Sequence, residues 1–277
     1  MKLFKYLLLS CCFILPSFAP QKQIEWTAIG DSITYLNDHA DETGNRVTKG
    51  YLTRVSEKLP YVHYTNQGHN GWTVTRIARE IEKLGLTKAD VYSVFLGTND
   101  WGQGGKLGNL DDYEKSTGLG TVYGAYRIII NKLKSLNPNA RIILITPMQR
   151  GDFVYIRNHK NNARGSYNPK DGQDLEQFAD AVKAIARVEN FDVVDLYHKG
   201  SLSVKHAVKF KRVRDTITHQ YKNFKYPAYT PLPFNAEKDD YPYPLEAVDV
   251  TYDGLHPSDK GNKIIAEMLV KVMKKQR

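Results

Sequence analysis

Cysteine is almost missing from this chain: among 277 residues only Cys11 and Cys12 carry thiols. Both lie in a segment that reads differently from the rest. Lys2 and Lys5 precede an apolar run from Leu7 to Leu15, followed by Pro16, Ser17, Phe18 and Ala19, which is the grammar of an export signal. The run is too short to span a bilayer, and Ser17 and Ala19 supply the small residues that a signal peptidase requires. The sequence therefore predicts a signal peptide over residues 1–19 and export to the periplasm or out of the cell. Pro20 disfavours cleavage directly after Ala19, which shifts the expected site by a residue or two. A second reading makes Cys11 a lipidated lipoprotein cysteine. It ranks lower, because little apolar sequence precedes Cys11 and apolar residues follow it. With residues 1–19 removed no thiol is left, which excludes disulfides, thiolate nucleophiles and cysteine-ligated metals.

Other absences narrow the chemistry. After residue 19 no apolar stretch is long enough to cross a membrane, and no apolar stripe suits docking on lipid. The eight histidines are scattered with no His-Glu-x-x-His or equivalent, so neither a metal nor a cofactor is implied. No Gly-x-Ser-x-Gly elbow occurs, which removes the α/β-hydrolase pattern. The stretch from Gly102 to Gly108 has no Ser or Thr after Lys106, so it reads as a flexible loop rather than a phosphate cradle. Repeats and low-complexity linkers are missing too. Acidic residues are the minority: 39 Lys and Arg face 30 Asp and Glu, a formal charge of +9, or +7 with 37 basic residues once Lys2 and Lys5 are gone. A positive field gathers anions, but a basic exported protein explains the excess equally well. With no recognised binding motif, nucleic acid is not an expected partner.

What remains has a globular composition, 41% hydrophobic and 25% charged, and residues 20–277 are expected to form one domain. Apolar runs rich in β-branched residues alternate with stretches of helical period, the signature of a parallel sheet covered by helices. Strands are predicted at Ile24 to Ile29, Val62 to Asn66, Val91 to Leu96, Arg141 to Thr146 and Phe191 to Leu196. Helices are predicted at Gly50 to Leu59, Thr73 to Leu84, Thr121 to Leu136, Asp174 to Glu189 and about Ser258 to Lys275, with Ser258 as N-cap. Three segments break the alternation and read as insertions: 36–49, 150–171 and 200–250. The last begins with basic, helical-looking residues (Lys205, Lys209, Lys211, Arg212, Arg214). From Tyr226 through Pro244 it turns proline-rich, which forbids regular helix or central strand, and the segment reads as an ordered loop or lid.

In an open parallel sheet ligands bind beyond the carboxyl ends of the strands, and three short motifs fall there. Gly30-Asp31-Ser32-Ile33-Thr34 follows the first strand, Asn66-Gln67-Gly68-His69-Asn70-Gly71-Trp72 the second, and Gly97-Thr98-Asn99-Asp100 the third. Before the closing helix comes Asp253-Gly254-Leu255-His256-Pro257. A carboxylate three residues ahead of a histidine can accept from its Nδ1 and leave Nε2 free as a base. Each motif taken alone is equally consistent with an ordinary turn.

Together and in this order, the four motifs resemble the SGNH/GDSL hydrolase family, whose blocks carry Ser, Gly, Asn and His in turn. The matching positions are Ser32, Gly71, Asn99 and His256, and the likeness runs from about residue 24 to residue 275. The insertions match nothing recognised. The resemblance implies a flavodoxin-like α/β fold, a three-layer sandwich with a five-stranded parallel sheet of order 2-1-3-4-5 and helices on both faces. It also implies that Ser32 attacks an acyl carbonyl, that His256 relays the proton, and that Asp253 orients the imidazole. The oxyanion would be held by the N–H groups of Ser32 and Gly71 and by the Asn99 amide, with Gly68 as the alternative to Gly71. Asp31 and Asp100 are expected to hydrogen-bond turn backbones.

Substrate identity must come from the walls of the cleft. Trp72 and Trp101 each follow a motif directly and could stack on a sugar, and Arg150, just past the fourth strand, could meet a carboxylate or hydroxyl. Packing of these aromatics against the core is the competing reading. The expectation is an exported serine esterase that removes O-acyl groups, foremost acetyl, from a small-molecule or polysaccharide ester, with a monomer as default. A lipolytic acylhydrolase is the nearest alternative. A non-catalytic carbohydrate-binding protein on the same fold is the alternative of another class.

Overall fold

The computed structural model describes residues 22–215 and 217–275. The expected signal peptide at 1–19, with Cys11 and its lipidation alternative, lies outside the described residues. In chain order the strands are β1 (Ile24–Gly30), β2 (Val62–Gly68), β3 (Val91–Phe95), β4 (Arg141–Ile145), β5 (Phe153–Tyr155), β6 (Asn158–Ala163), β7 (Asp192–Val194), β8 (Lys211–Arg214) and β9 (Tyr221–Phe224). The helices are α1 (Ser32–Tyr35), α2 (Tyr51–Lys58), α3 (Val74–Glu80), α4 (Thr98–Gly102), α5 (Leu110–Glu114), α6 (Val122–Leu136), α7 (Leu175–Glu189) and α8 (Asp259–Met273).

Five strands form one parallel sheet in the order β2-β1-β3-β4-β7, the arrangement that the family resemblance implies. Side chains alternate between its two faces because successive residues of a strand point opposite ways. Ile142 and Leu144 of β4 pack with α3, α6 and α7, whereas Ile143 and Ile145 pack with α2 and α8. Burial on both faces is why these strands read as unbroken apolar runs. Ser93 is the polar exception on β3, and it accepts a hydrogen bond from the Trp26 indole at 2.9 Å.

Helix ends follow their caps. The Thr121 hydroxyl accepts from Gly124 N to start α6, the Thr73 hydroxyl accepts from Arg76 N to start α3, and the Ser258 hydroxyl accepts from Gly261 N to start α8. Such a side chain satisfies one of the N–H groups that a helix start leaves open. The edge strands depart from expectation. β2 runs two residues further than predicted and is mostly polar, and β7 keeps only three residues, since an edge strand has one neighbour to pair with.

The insertions contain structure that periodicity did not reveal. Residues 150–171 hold an antiparallel hairpin, β5 with β6, and 200–250 holds a second, β8 with β9. Of the basic stretch expected to be helical, Lys205 lies in a single 3-10 turn, Val204–His206, whereas Lys211–Arg214 is a strand. Its residues alternate inward and outward, with Lys211 1% and Val213 7% exposed, so the period is two rather than 3.6. The inward lysine is carried by Asp152, which accepts from Lys211 Nζ at 2.6 Å, from Gly165 N at 2.9 Å and from the Tyr167 hydroxyl. Tyr243 donates to the Asp152 carbonyl. A single buried acid thus fastens both insertions to one another. Between Tyr226 and Pro244 the chain has neither helix nor strand. Among the described residues no helix is long and apolar enough to cross a membrane.

Candidate active site

Sheet order brings three chain segments to one edge. β1 ends at Gly30 and the chain turns at once into α1, with Asp31 as its cap accepting from Ile33 N at 2.9 Å. Ser32 is therefore the first residue of a helical turn, and among the described residues no protein acceptor meets its N–H. Beside it, the loops after β2 and β3 are cross-linked. Asn99 Nδ2 donates to the Trp72 carbonyl at 3.0 Å, Gln103 Nε2 donates to the Gly71 carbonyl at 2.9 Å, and both Asp100 oxygens accept from Val74 N. The second and third motifs are thus one rigid ledge. Asn99 spends one amide hydrogen on this bond and has a second to offer.

The two candidate glycines occupy different places. Gly68 sits inside β2 opposite Gly30, and its N–H is taken by Asn66 Oδ1 at 2.9 Å. Gly71 has a φ of +71° with open space where a Cβ would stand, and it borders the cleft. Only glycine adopts such a φ at little cost.

The fourth motif approaches from the other side. Asp253 Oδ1 accepts from the backbone N–H groups of Leu255 (3.0 Å) and His256 (2.7 Å), and Oδ2 accepts from His256 Nδ1 at 2.6 Å. With Nδ1 as donor, Nε2 is left to accept, and the Ser32 hydroxyl lies 2.8 Å from it. Asp253 is fully buried and His256 is 5% exposed. The loop is held by the first insertion. Gly151 N donates to the Gly254 carbonyl at 2.9 Å, and Val154 N donates to the Asp253 carbonyl at 3.1 Å. A Cβ on Gly254 would stand 1.8 Å from the Asp152 carbonyl oxygen, at a φ of +92°, so no other residue fits between the motif and the insertion. Tyr252 stacks on the imidazole at 5.9 Å between centroids, and Phe153 meets it edge-on at 5.4 Å.

Charge in this corner is strongly coupled. Burial disfavours the imidazolium, but the charge and hydrogen bond of Asp253 outweigh it and hold the His256 pKa above the ordinary 6.5; Asp31 adds to the rise and Arg150 opposes it. Burial pushes Asp31 up to about 6 against the pull of the Ile33 N–H and of His256, and it pushes Asp100 up to about 6 as well. Desolvation acts on the charged form of any acid, so both shifts run upward.

The cleft above Ser32 has a volume of about 420 Å³ and is walled by Asn70, Gln103, Asn161, Asn162, Glu42 and Arg150 alongside Phe153 and Leu255. Asn161 and Asn162 come from β6, and no periodic signal in the sequence singled them out. Trp101 does not face the cleft as expected. It is 3% exposed, its indole N–H is spent on the Gln173 carbonyl, and Arg150 covers its ring at 4.8 Å. Trp72 is likewise turned away, packed on the core with His69 stacked on it at 4.3 Å and Arg76 over it at 4.5 Å. Trp101 is not free to stack on a sugar, and the half-buried Trp72 does not line the cleft. Among the described residues no group of three or more His, Cys, Asp or Glu is placed to hold a metal ion.

Comparison with known proteins places the fold in a family. The model of the GDSL-like Lipase/Acylhydrolase family matches residues 28–264. The crystal structure of "a possible lipase from Chitinophaga pinensis DSM 2588" is 62% identical, covers 91% of this chain and 98% of its own, and superposes with a TM-score of 0.90. Two more distant structures share the fold. One, from Lactobacillus plantarum, is 19% identical over 91% of this chain and 97% of its own, with a TM-score of 0.61. The other, an acetyl xylan esterase, is 20% identical over 90% of this chain and 99% of its own, with a TM-score of 0.53. Among curated proteins none matches. With its family model spanning most of the chain and a 62%-identical structure superposing throughout, the protein belongs to the GDSL-like lipase/acylhydrolase family.

Proposed function

We propose that this chain is an exported serine esterase that hydrolyses O-acetyl esters borne on carbohydrate. The observation that carries the reading is the unbroken hydrogen-bond chain from Asp253 through His256 to Ser32 at the floor of the cleft. In this reading Ser32 Oγ attacks the ester carbonyl carbon while its proton passes to His256 Nε2. The charge that develops on the carbonyl oxygen is met by the N–H groups of Ser32 and Gly71 and by the free hydrogen of Asn99 Nδ2. Collapse expels the alcohol, which takes the proton from His256. Water then repeats the sequence to release the acid and restore Ser32. Asp253 holds the imidazole in the tautomer that this cycle needs.

The carbohydrate assignment rests on the walls. Asn70, Gln103 and Asn161 put amides, which pair with hydroxyl groups, on walls that also carry Leu36, Phe153, Tyr155 and Leu255. Export rests on the pattern of residues 1–19. A lipolytic acylhydrolase is the second reading, favoured by the description of the 62%-identical structure. The two separate on a series of p-nitrophenyl esters and on acetate release from acetylated glycans. Turnover concentrated on acetate and falling with chain length supports the first. Preference for long acyl chains, with no acetate released from glycans, overturns it.

A further inference from the structure

We propose that Arg150 binds a carboxylate on the alcohol half of the substrate, so that the preferred ester is an O-acetylated sugar acid rather than a neutral sugar. The inference rests on the esterase reading above and narrows its substrate class.

Arg150 is 3% exposed, yet it lines the cleft together with Ser32, Asn99 and His256. Its guanidinium lies over the Trp101 ring and so has a fixed orientation. The donor edge is largely unspent. Nη2 donates to the Arg164 carbonyl at 3.2 Å, and the buried Nε has no partner. Three acids are near enough for their charge to act on it: Asp152, Asp253 and Asp31. Each accepts hydrogen bonds from other groups, Asp152 from Lys211, Asp253 from His256 and Asp31 from the Ile33 N–H. Among the described residues none of them accepts from Arg150.

A buried cation to which no anion is hydrogen-bonded is costly, because desolvation disfavours charge. Burial lowers the Arg150 pKa only to about 10, so the group stays charged at neutral pH. Two parallel N–H donors from one guanidinium match the two oxygens of a carboxylate, a fit that a hydroxyl cannot reproduce. Glu42, which also lines the cleft and accepts from the Tyr35 hydroxyl at 2.9 Å, repels an anion near it, so Arg150 is the lining group that attracts one. The segment bearing Arg150 adds a field of the same sign. Residues 150–171 carry Arg150, Arg157, Lys160, Arg164 and Lys170 against Asp152 and Asp171. Of these, Arg157, Lys160 and Arg164 are exposed, on or beside the hairpin whose Asn161 and Asn162 wall the cleft, where they draw a polyanion toward it.

The test compares matched esters acetylated at one position, the methyl glucuronoside with its free carboxylate and the neutral methyl glucoside. In the unaltered protein kcat/KM is expected to favour the glucuronoside by about tenfold or more. In Arg150→Met that ratio should collapse toward one, chiefly through KM, while Arg150→Lys should keep part of it because a point charge lacks the fork. Free glucuronate should also compete with p-nitrophenyl acetate in the unaltered protein where glucose does not, a measurement that needs no variant. Equal rates on the two esters, equal losses on both in Arg150→Met, or no inhibition by glucuronate each overturn the inference and leave an active esterase. Loss of the esterase reading shows differently, as no turnover of p-nitrophenyl acetate.

Discussion

Asp31→Asn removes a buried charge next to Ser32 while keeping the oxygen that caps α1. Asp31 is 1% exposed, and burial raises its pKa from 3.8 to about 6. The folded chain therefore holds a proton that the unfolded chain has lost between those two values. Stability must fall as pH rises from about 4 to about 6 and stay lower above it. A rise of about 2 units at about 1.36 kcal/mol each gives a penalty near 3 kcal/mol at pH 8, which vanishes below pH 4. Asn carries no such penalty at any pH. The stability gained by Asp31→Asn should thus be larger at pH 8 than at pH 4 by up to about 3 kcal/mol, or about 6–12 °C in Tm for a domain of this size. Chemical denaturation of both proteins at both pH values measures the difference. An equal effect of the substitution at pH 4 and pH 8 would refute the reasoning, because the carboxylate would then ionise in the fold as freely as in water.

Four further outcomes follow from the same geometry. Asn99→Ala removes the side-chain donor beside Ser32 and should lower kcat by about 10²–10³-fold with a smaller change in KM, read in steady-state kinetics on p-nitrophenyl acetate. Because His256 must be neutral to accept the Ser32 proton and its pKa is raised, the acidic limb of kcat/KM should turn above pH 6.5. Replacing Asp253 with Asn should shift that limb downward. Lys211→Met leaves the buried Asp152 without its cation and should cost about 3–5 kcal/mol in a urea titration.

The sheet was legible because its central strands are buried on both faces, so a run such as Arg-Ile-Ile-Leu-Ile at β4 can hardly be anything else. The residues proposed to react were legible as candidates for a topological reason. Ser32 and Asn99 sit just past strand ends and Asp253 and His256 just ahead of α8, where short motifs hold the backbone in particular turns. The hairpin β8–β9 was not, since inward Lys211 follows no hydrophobic period and its partner Asp152 lies 59 residues earlier. Trp101 misled because adjacency along a chain says nothing of direction. Two residues on from Asn99 in α4, it lies roughly 200° around the helix, facing the core while Asn99 faces the cleft. Arg150 was visible as a candidate from its place after β4, but its unspent donors depend on Trp101, Arg164 and Lys211, which only folding assembles.

Ser32 is proposed to be made nucleophilic by the His256–Asp253 pair. Treatment with a fluorophosphonate, followed by intact-mass measurement and peptide mapping, addresses it directly. The account predicts one adduct per chain, on Ser32, with loss of hydrolysis in step with labelling and neither adduct nor turnover in Ser32→Ala. An adduct on another residue, or hydrolysis that survives in Ser32→Ala, would contradict it.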